Sequence, residues 1–583
     1  MDQDKNIQKD IQNETNKQHS KNISSRGKIV GLALGVVAVV AVVILAAVFL
    51  HSPYISVPGD YRSIQEAIEA AGDGDEIVVE PGLYYEQIDF LGKDITVRST
   101  DPEDPGVIAE TVIDGRRRGS VVTFQNGESE NAILKGITIA GGTGTRDTLV
   151  HEYEGEEYVE DSYYGGGIYI SGNSSPTITL NVIEGNEIEH DKSAGGGIAV
   201  LDNSNPIISG NTIEYNKSFN GAGIYTFKSD PLIEENILRE NDARNYGGGI
   251  FVDFEANPNI NVNDLHNNRS TSGGGIAVFY ANPLISGNTV NNNRSIWYGG
   301  GIAVFDASPT IENNDVSNNS ARNNGGGLAV AEGSSPDIIN NTIMENYTEE
   351  NGGGLAILEG SEPNVIDNII SENVVLLGGG GIYIKESSPL IEGNNIVENL
   401  VQQDGGGIAI STDSSPLVAN NVIDENTAGR MGGGAVVHGN SSPVFEDNSI
   451  SSNTAVASGG GLFVQRSAVT MERNVISDNM AQGELADLPG SGGGIILVAN
   501  STATILNNEF TRNIAVELGG GVVAFDDSVI ELKENDFIAN EADEGGAFVG
   551  FGEASIERSD PDDNTYRDNV PEDLEEDEDN NDQ

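Results

Sequence analysis

The sequence predicts an all-β chain folded as a right-handed parallel β-helix. This is a solenoid of about 15–18 rungs of 26–27 residues, with an N-terminal capping helix and a single N-terminal transmembrane helix. Three observations predict it. Glycine clusters recur at a near-constant interval, a pair of asparagines recurs with them, and one long uncharged apolar run stands near the start.

The glycine clusters set the period. Their third residues include Gly197, Gly223, Gly249, Gly275, Gly301 and Gly327, successively 26 residues apart; the other intervals are 26 or 27, except 30 before Gly197 and 33 before Gly494. A degenerate last copy, GGAF, ends at Phe548. After each cluster comes a short apolar strand, then a polar turn, often Ser-Ser-Pro, then Pro-x-x-x-x-Asn-x-x-x-x-Asn. From Pro176 the pattern gives Asn181 and Asn186; from Pro309, Asn314 and Asn319; from Pro416, Asn421 and Asn426. Three short strands per period, separated by turns, are the signature of a β-solenoid. Proline lacks an N–H for the ladder and so belongs at a turn. Glycine lets backbone corners stack closely. Asparagines kept at one position of every rung are expected to stack as amide ladders, around an interior of Ile, Val and Leu.

The opening is expected to be capped. Ser63-Ile64-Gln65-Glu66 fits a helix capping box, and Ile64, Ala67, Ile68 and Ala71 make one apolar face at helical spacing. Such a helix closes the solenoid's open end, where backbone groups lack partners. Strand-like runs follow at Glu76–Val79, Ile95–Arg98, Ser120–Phe124 and Ala132–Ile139.

Ile29–Leu50 carries no charge over 22 residues, enough to cross a bilayer as a helix. Lys21, Arg26 and Lys28 precede it and no basic residue follows until Arg62, which places the N-terminus in the cytoplasm. A cleaved signal peptide is the competing reading, but its apolar and leading regions would be shorter. The expected organisation is a disordered cytoplasmic segment (1–28), a transmembrane helix (29–50), an extracytoplasmic β-helix (51–559) and an acidic disordered tail (560–583).

Composition narrows the chemistry. Acidic residues outnumber basic ones 91 to 30, a formal charge of −61 that repels nucleic acid. With no cysteine, disulfides, thiolate catalysis and cysteine-bound zinc are excluded. The six histidines show no metal-ligand spacing, and no nucleophile elbow or phosphate loop is present.

The residues resemble known families. The opening, from Tyr61 to Ser99, resembles the first rungs of pectin-lyase-like right-handed β-helices of exported bacterial and archaeal proteins. The repeats resemble those of polymorphic outer membrane proteins, whose signature pairs Gly-Gly-Ala-(Ile/Leu/Val) with Phe-x-x-Asn. Here the usual forms are Gly-Gly-Gly-Ile and Ile-x-x-Asn, with Phe510–Asn513 and Phe537–Asn540 matching literally. The resemblance spans about residues 55–550 and implies the fold, which hosts adhesins, lyases, hydrolases, esterases and epimerases. It departs from the outer membrane proteins in one respect: they end in a β-barrel, and nothing after Gly552 could form one. The residue patterns of polygalacturonases and lyases on this fold have only isolated fragments here, Asp526-Asp527 and His438-Gly439.

Two groups of site residues stand out. Aromatics just before glycine clusters form a broken stripe, with Tyr164, Tyr246, Trp297 and Tyr298 as candidates for stacking on sugars. Asp306, Glu332, Glu359 and Glu386 occupy one position in successive rungs, where carboxylates ~4.8 Å apart would repel or be bridged by calcium. A parallel row, Glu345, Glu372, Glu398 and Glu425, precedes the outer asparagines. Arg116-Arg117-Arg118 is the only basic run after the apolar segment and a candidate for holding a carboxylated glycan. The 143–164 insertion, a long loop on a rigid scaffold, is the expected region of partner contact. Together these predict a membrane-anchored surface protein that adheres to a glycan, matrix or neighbouring cell-surface component without catalysis. The alternative is a lyase or hydrolase acting on an acidic glycan.

Overall fold

The computed structural model describes residues 54–153, 156–484, 490–551, 554–558 and 563–571. The expected cytoplasmic segment and transmembrane helix lie outside these residues. Among the described residues no helix is long and apolar enough to cross a membrane.

One rung shows how the sequence becomes a solenoid. After Gly299–Gly301 comes a strand, Ile302–Phe305 (sheet 1); after the Pro309 turn, Thr310–Glu312 (sheet 2); between the two asparagines, Asp315–Ser317 (sheet 3); and after the second, Ser320–Ala321 (sheet 4). Each strand pairs in parallel, in register, with its counterpart in the next rung, as in Ile302↔Leu328, Ile311↔Ile338 and Val316↔Ile343. Sheet 2 runs to 19 strands, while sheet 4 is an 8-stranded run from Ser320 to Ala515 with a short separate piece before it. Three strands per rung were expected; the fourth has two residues, too few to leave a periodic trace. Ile302, Val304, Ile311 and Val316 all point inward, fully buried in one core that continues along the axis. Parallel strands buried this way supply hydrophobic stabilisation of roughly 25 cal/mol per Å² of apolar area removed from water.

The asparagines are buried and form two ladders. Asn314 donates through Nδ2 to Asn341 Oδ1 (3.0 Å) and to the Ile285 carbonyl (2.9 Å), while its own N–H donates to the same Asn341 Oδ1 (2.9 Å). Asn319 and Asn346 repeat the arrangement. The amide therefore satisfies backbone groups that a turning chain would leave unpaired inside the solenoid. The ladders extend one rung beyond expectation, to Asn564 and Asn569. Thr565–Arg567 pairs with Asp536–Ile538, so residues 563–571 correct the expected disordered tail: Asn564 and Asn569 keep the five-residue spacing that builds a rung. A third column, of buried serines, stacks at the turn before sheet 2, with the Ser361 N–H donating to Ser387 Oγ and the Ser387 N–H to Ser414 Oγ.

The glycine clusters are required by close approach. A Cβ on Gly300 would lie 2.3 Å from the Gly326 carbonyl oxygen and 2.6 Å from Ser320 backbone atoms. The residue before each ladder asparagine is left-handed, including Glu345, Glu372, Glu398 and Glu425 at φ 53–56°. These glutamates thus occupy a turn position the fold imposes.

The capping helix is Ile64–Ala70, with Ile64, Ala67 and Ile68 buried. Ser63 Oγ accepts from the Glu66 N–H (3.2 Å), as a capping box requires. The two preceding N–H groups, of Ile64 and Gln65, instead donate to the Glu86 carboxylate (both 3.0 Å), a charge favoured at a helix N-terminus. Lys93 Nζ donates to the carbonyls of Ile68, Glu69 and Ala71 at the other end. Among the early strands, Glu76–Val79 forms as expected. Ala132–Ile139 is divided into Ile133–Lys135 and Thr138–Ala140 by left-handed Gly136, which places the pieces in different sheets.

Candidate ligand-binding face

Alternation along sheet 1 decides what faces outward. In Gly-Gly-Gly-Ile-x-Val-x the Ile and Val enter the core, so the two x positions form two columns on the outer face. From the first rungs to Phe305 those columns are rich in aromatics, Tyr169, Tyr225, Phe227, Phe251, Phe279 and Phe305, interleaved with Ala199, Ala277 and Ala303. These outward rings were not expected from the sequence, although the period of two within the strand is the signal that carries them.

The 143–164 insertion is not an irregular loop. Thr145–Tyr153 and Glu156–Tyr164 pair antiparallel as a hairpin, which docks on the first aromatic rungs. Leu149 packs with Tyr164, Tyr169 and Tyr225, and Lys228 Nζ donates to the Val150 carbonyl (3.2 Å) while sitting 5.3 Å from the Phe254 ring. The Tyr169 hydroxyl donates to Asp147 and that of Tyr225 to Asp253 (2.9 Å). Part of Asp253 remains reachable by water, yet packing around its carboxyl, with Glu160 nearby, pushes its pKa up from 3.8 to about 7.

This arrangement corrects the place of Tyr164. It is 2% exposed and stacks on Tyr225 (6.0 Å, 16°), so the hairpin that follows from the insertion seals its ring from any sugar. Tyr246 and Tyr298 are half-buried beyond the hairpin. Tyr246 packs on Phe251, Phe279 and Phe305 at 5.0–6.0 Å, and Tyr298 meets Phe305 edge-on at 5.5 Å. Trp297 is 50% exposed and, among the described residues, joins no ring pair.

Asp306, Glu332, Glu359 and Glu386 follow the outer column in four successive rungs, each exposed and left-handed (φ 44–57°). The structure brings Glu332 and Glu359 to the tyrosines. Burial, with the carboxylates of Glu359 and Glu332 nearby, pushes the Tyr298 hydroxyl upward. Glu332 is raised by partial desolvation, then by Asp306 and Glu359 on either side. Glu386 is set apart, 3.3 Å from Lys385 Nζ. Among the described residues no group of three or more His, Asp or Glu is arranged to hold a metal ion.

The remaining motifs are structural. Arg117 pairs with Glu187 and Glu189, and Arg116 lies 3.8 Å over the Tyr85 ring, so most of the basic run is occupied. His438, lowered by burial, stands in sheet 1, whereas Asp526 and Asp527 occupy a left-handed turn three rungs on, about 14 Å away at the strand spacing.

A family model described as a right-handed beta helix region matches residues 112–282, 269–380, 353–537 and 431–569. No curated protein matches the chain. Among solved structures it is similar to the receptor-binding domain of the Siphovirus 9NA tailspike, at 12% identity, over 91% of this chain and 78% of that one, with a TM-score of 0.17. It is also similar to a variant of the PL6 family alginate lyase AlyGC, at 10% identity, over 88% of this chain and 100% of that one, with a TM-score of 0.17. A third is the receptor-binding protein of bacteriophage Det7, at 10% identity, over 90% and 78%, with a TM-score of 0.14.

Proposed function

We propose, for a chain that belongs to the right-handed β-helix family, a surface protein that binds a glycan along the outer face of sheet 1. Residues 29–50 anchor it in the membrane and the solenoid stands on the extracytoplasmic side. One observation carries the reading: Tyr246 and Tyr298, half-exposed on a bed of Phe251, Phe279 and Phe305, are edged by the carboxylates of Asp306, Glu332 and Glu359. Aromatic rings offer flat apolar area to a sugar's C–H face, and carboxylates accept from its hydroxyls with charge-assisted strength. Such a rim favours neutral or amino sugars and repels an acidic chain.

A second reading, cleavage of the bound chain, is favoured by Glu332. Its carboxyl is raised between two neighbouring carboxylates, the kind of pairing that separates a general acid from its partner in glycoside hydrolysis. Both readings are tested by incubating the full chain in detergent with neutral, amino and acidic polysaccharides, measuring retention and new reducing ends. Binding reduced by Tyr246→Ala and Tyr298→Ala, without new reducing ends, supports adhesion. Reducing ends lost in Glu332→Gln support the enzyme. Retention unaffected by either tyrosine variant would sink the proposed face.

A further inference from the structure

A second surface lies at another corner of the solenoid and does not depend on the sheet 1 reading. After the second ladder asparagine, Arg269 and Arg294 occupy one position in adjacent rungs, bridged in parallel to each other and to Asp242, and Arg244 stands beside them one rung earlier. The three arginines line a groove of about 460 Å³ with Ser270, Ser295 and Ile296.

Two features set this groove apart. In a chain with 91 acidic and 30 basic residues, Arg98, Arg239, Arg322, Arg473 and Arg512 each hold a carboxylate, while others such as Arg118 and Arg466 hold none among the described residues; this groove gathers two of the latter kind in adjacent rungs. Arg244 is paired too, with Asp191 at 3.0 Å. Arg269 and Arg294 are exposed, and among the described residues neither is within ion-pair distance of a carboxylate, although Asp242 lies in the same groove. The second feature is Ser295. It is 2% exposed and its Oγ has no hydrogen-bond partner among the described residues, whereas Ser270, one rung earlier, donates to the Ser272 carbonyl (2.8 Å). A buried hydroxyl is normally paired, so Ser295 offers the groove a polar group with nothing to satisfy it.

We propose that this groove binds an anionic polysaccharide. Guanidinium groups one rung apart are spaced by about 4.8 Å at their backbone positions, which suits acidic groups recurring along an extended chain. Each planar fork matches a carboxylate or sulfate. Ser295 Oγ meets a ring hydroxyl, and Ile296 and Trp297, 48% and 50% exposed, continue the chain past the groove and supply apolar surface for sugar rings. The net charge of −61 opposes anions at long range, but that field is screened over about 10 Å at 0.1 M salt, leaving the local guanidinium groups to decide.

The full chain in detergent is titrated at 0.1 M salt with polygalacturonate, chondroitin sulfate, dextran and single-stranded DNA. Polygalacturonate or chondroitin sulfate binds, which separates carboxylate from sulfate as the preferred group, and dextran does not occupy this groove. Arg269→Gln with Arg294→Gln weakens that binding by about tenfold or more, the loss expected for charge-assisted hydrogen bonds, with an unchanged melting temperature. Ser295→Ala weakens it a fewfold, and Arg473→Gln and Tyr298→Ala leave it intact. Failure of both acidic polysaccharides to bind, binding that survives the double substitution, or DNA bound as tightly as polysaccharide would each overturn the assignment. Because Tyr298→Ala tests the sheet 1 face alone, the two surfaces fail separately.

Discussion

From Tyr169 to Phe305 the outer columns of sheet 1 carry Tyr225, Phe227, Phe251 and Phe279, a hairpin packs over the first rungs, and arginines line a groove at the sheet 4 position. From Leu328 to Val464 the same columns carry mostly smaller residues, Ala329, Ala331, Ala356 and Ala409, with Tyr383 and Phe463 as isolated rings and the carboxylates of Glu332, Glu359 and Glu386 at their edge. The interiors of the two stretches are alike: Ile250 and Val252 in one, Ile408 and Ile410 in the other, all fully buried between unbroken asparagine ladders. The difference teaches where this fold keeps its freedom. Inward positions answer to packing along the axis, while outward positions are free to carry chemistry without disturbing register.

The sharpest test removes a ladder residue from each stretch. Asn268→Ala and Asn426→Ala each delete a donor to a rung carbonyl, a donor to the next amide, and the acceptor for the previous asparagine. With buried groups costing ~1–3 kcal/mol each when left unpaired, both substitutions are expected to destabilise by about 4 kcal/mol in denaturant unfolding. Asn569→Ala, at the end of the ladder, costs less. Asn540, with Asn513 before it and Asn569 after it, behaves as an interior residue. Clearly unequal losses at Asn268 and Asn426 would mean the stretches do not share one frame.

The next test touches only the aromatic stretch. Phe251 is 3% exposed on the outer face among Tyr225, Tyr246 and Phe279. Phe251→Ala is expected to cost about 3 kcal/mol, the low end for a buried ring, and to loosen the hairpin, read as faster amide exchange at Leu149 and Val150. Full retention of stability would show that the outer aromatics are a coat and not a second core.

The frame was legible because it repeats: every rung restates the glycine cluster, the proline turn and both asparagines, so the period and both ladders could be read directly. The capping helix was legible from Ser63 and its apolar spacing. The face was harder to read. Tyr164 and Tyr298 both stand just before a glycine cluster, yet one is sealed and the other half-open, because the covering hairpin is an insertion that no repeat foretells. Meeting of Tyr298 with Glu359 depends on residues more than two rungs apart in sequence, which spacing within one rung cannot reveal. Arg269 and Arg294 form a row of only two, too short to stand out in sequence as the four-rung carboxylate row does.

Titration separates the stretches further. In the folded chain Asp253 binds its proton up to about pH 7, whereas its ordinary value is 3.8. Between these values the folded state holds more protons than the unfolded state, so this group's contribution to stability falls as pH rises from about 4 to about 7 and is constant above. A shift of this size in a carboxyl with some water contact is expected to be worth about 2 kcal/mol, roughly half its full value. Asp253→Asn should therefore gain stability relative to the parent between pH 4.5 and pH 8. A constant difference across that range would show that Asp253 titrates normally under the hairpin.

The smallest effect belongs to the carboxylate row of the alanine stretch. Glu332 is exposed, so its repulsion by Asp306 and Glu359 is expected to cost less than about 1 kcal/mol. The direction is still defined. A carboxyl raised in the folded state loses stability as pH climbs through its titration, and Glu332→Gln removes that loss, so the variant should melt slightly higher than the parent at pH 8 and equally at pH 4. Calcium sharpens the test, since a hard cation prefers several carboxylate oxygens and would relieve the same repulsion by bridging rungs. Millimolar calcium is expected to raise the parent's melting temperature and close the gap to Glu332→Gln, and Glu332→Gln with Glu359→Gln should abolish the response. A gap that persists in calcium, with parent and double variant responding alike, would leave the row as repulsion tolerated at a surface turn, and the left-handed backbone at Glu332 and Glu359 would then be sufficient reason for where these side chains stand.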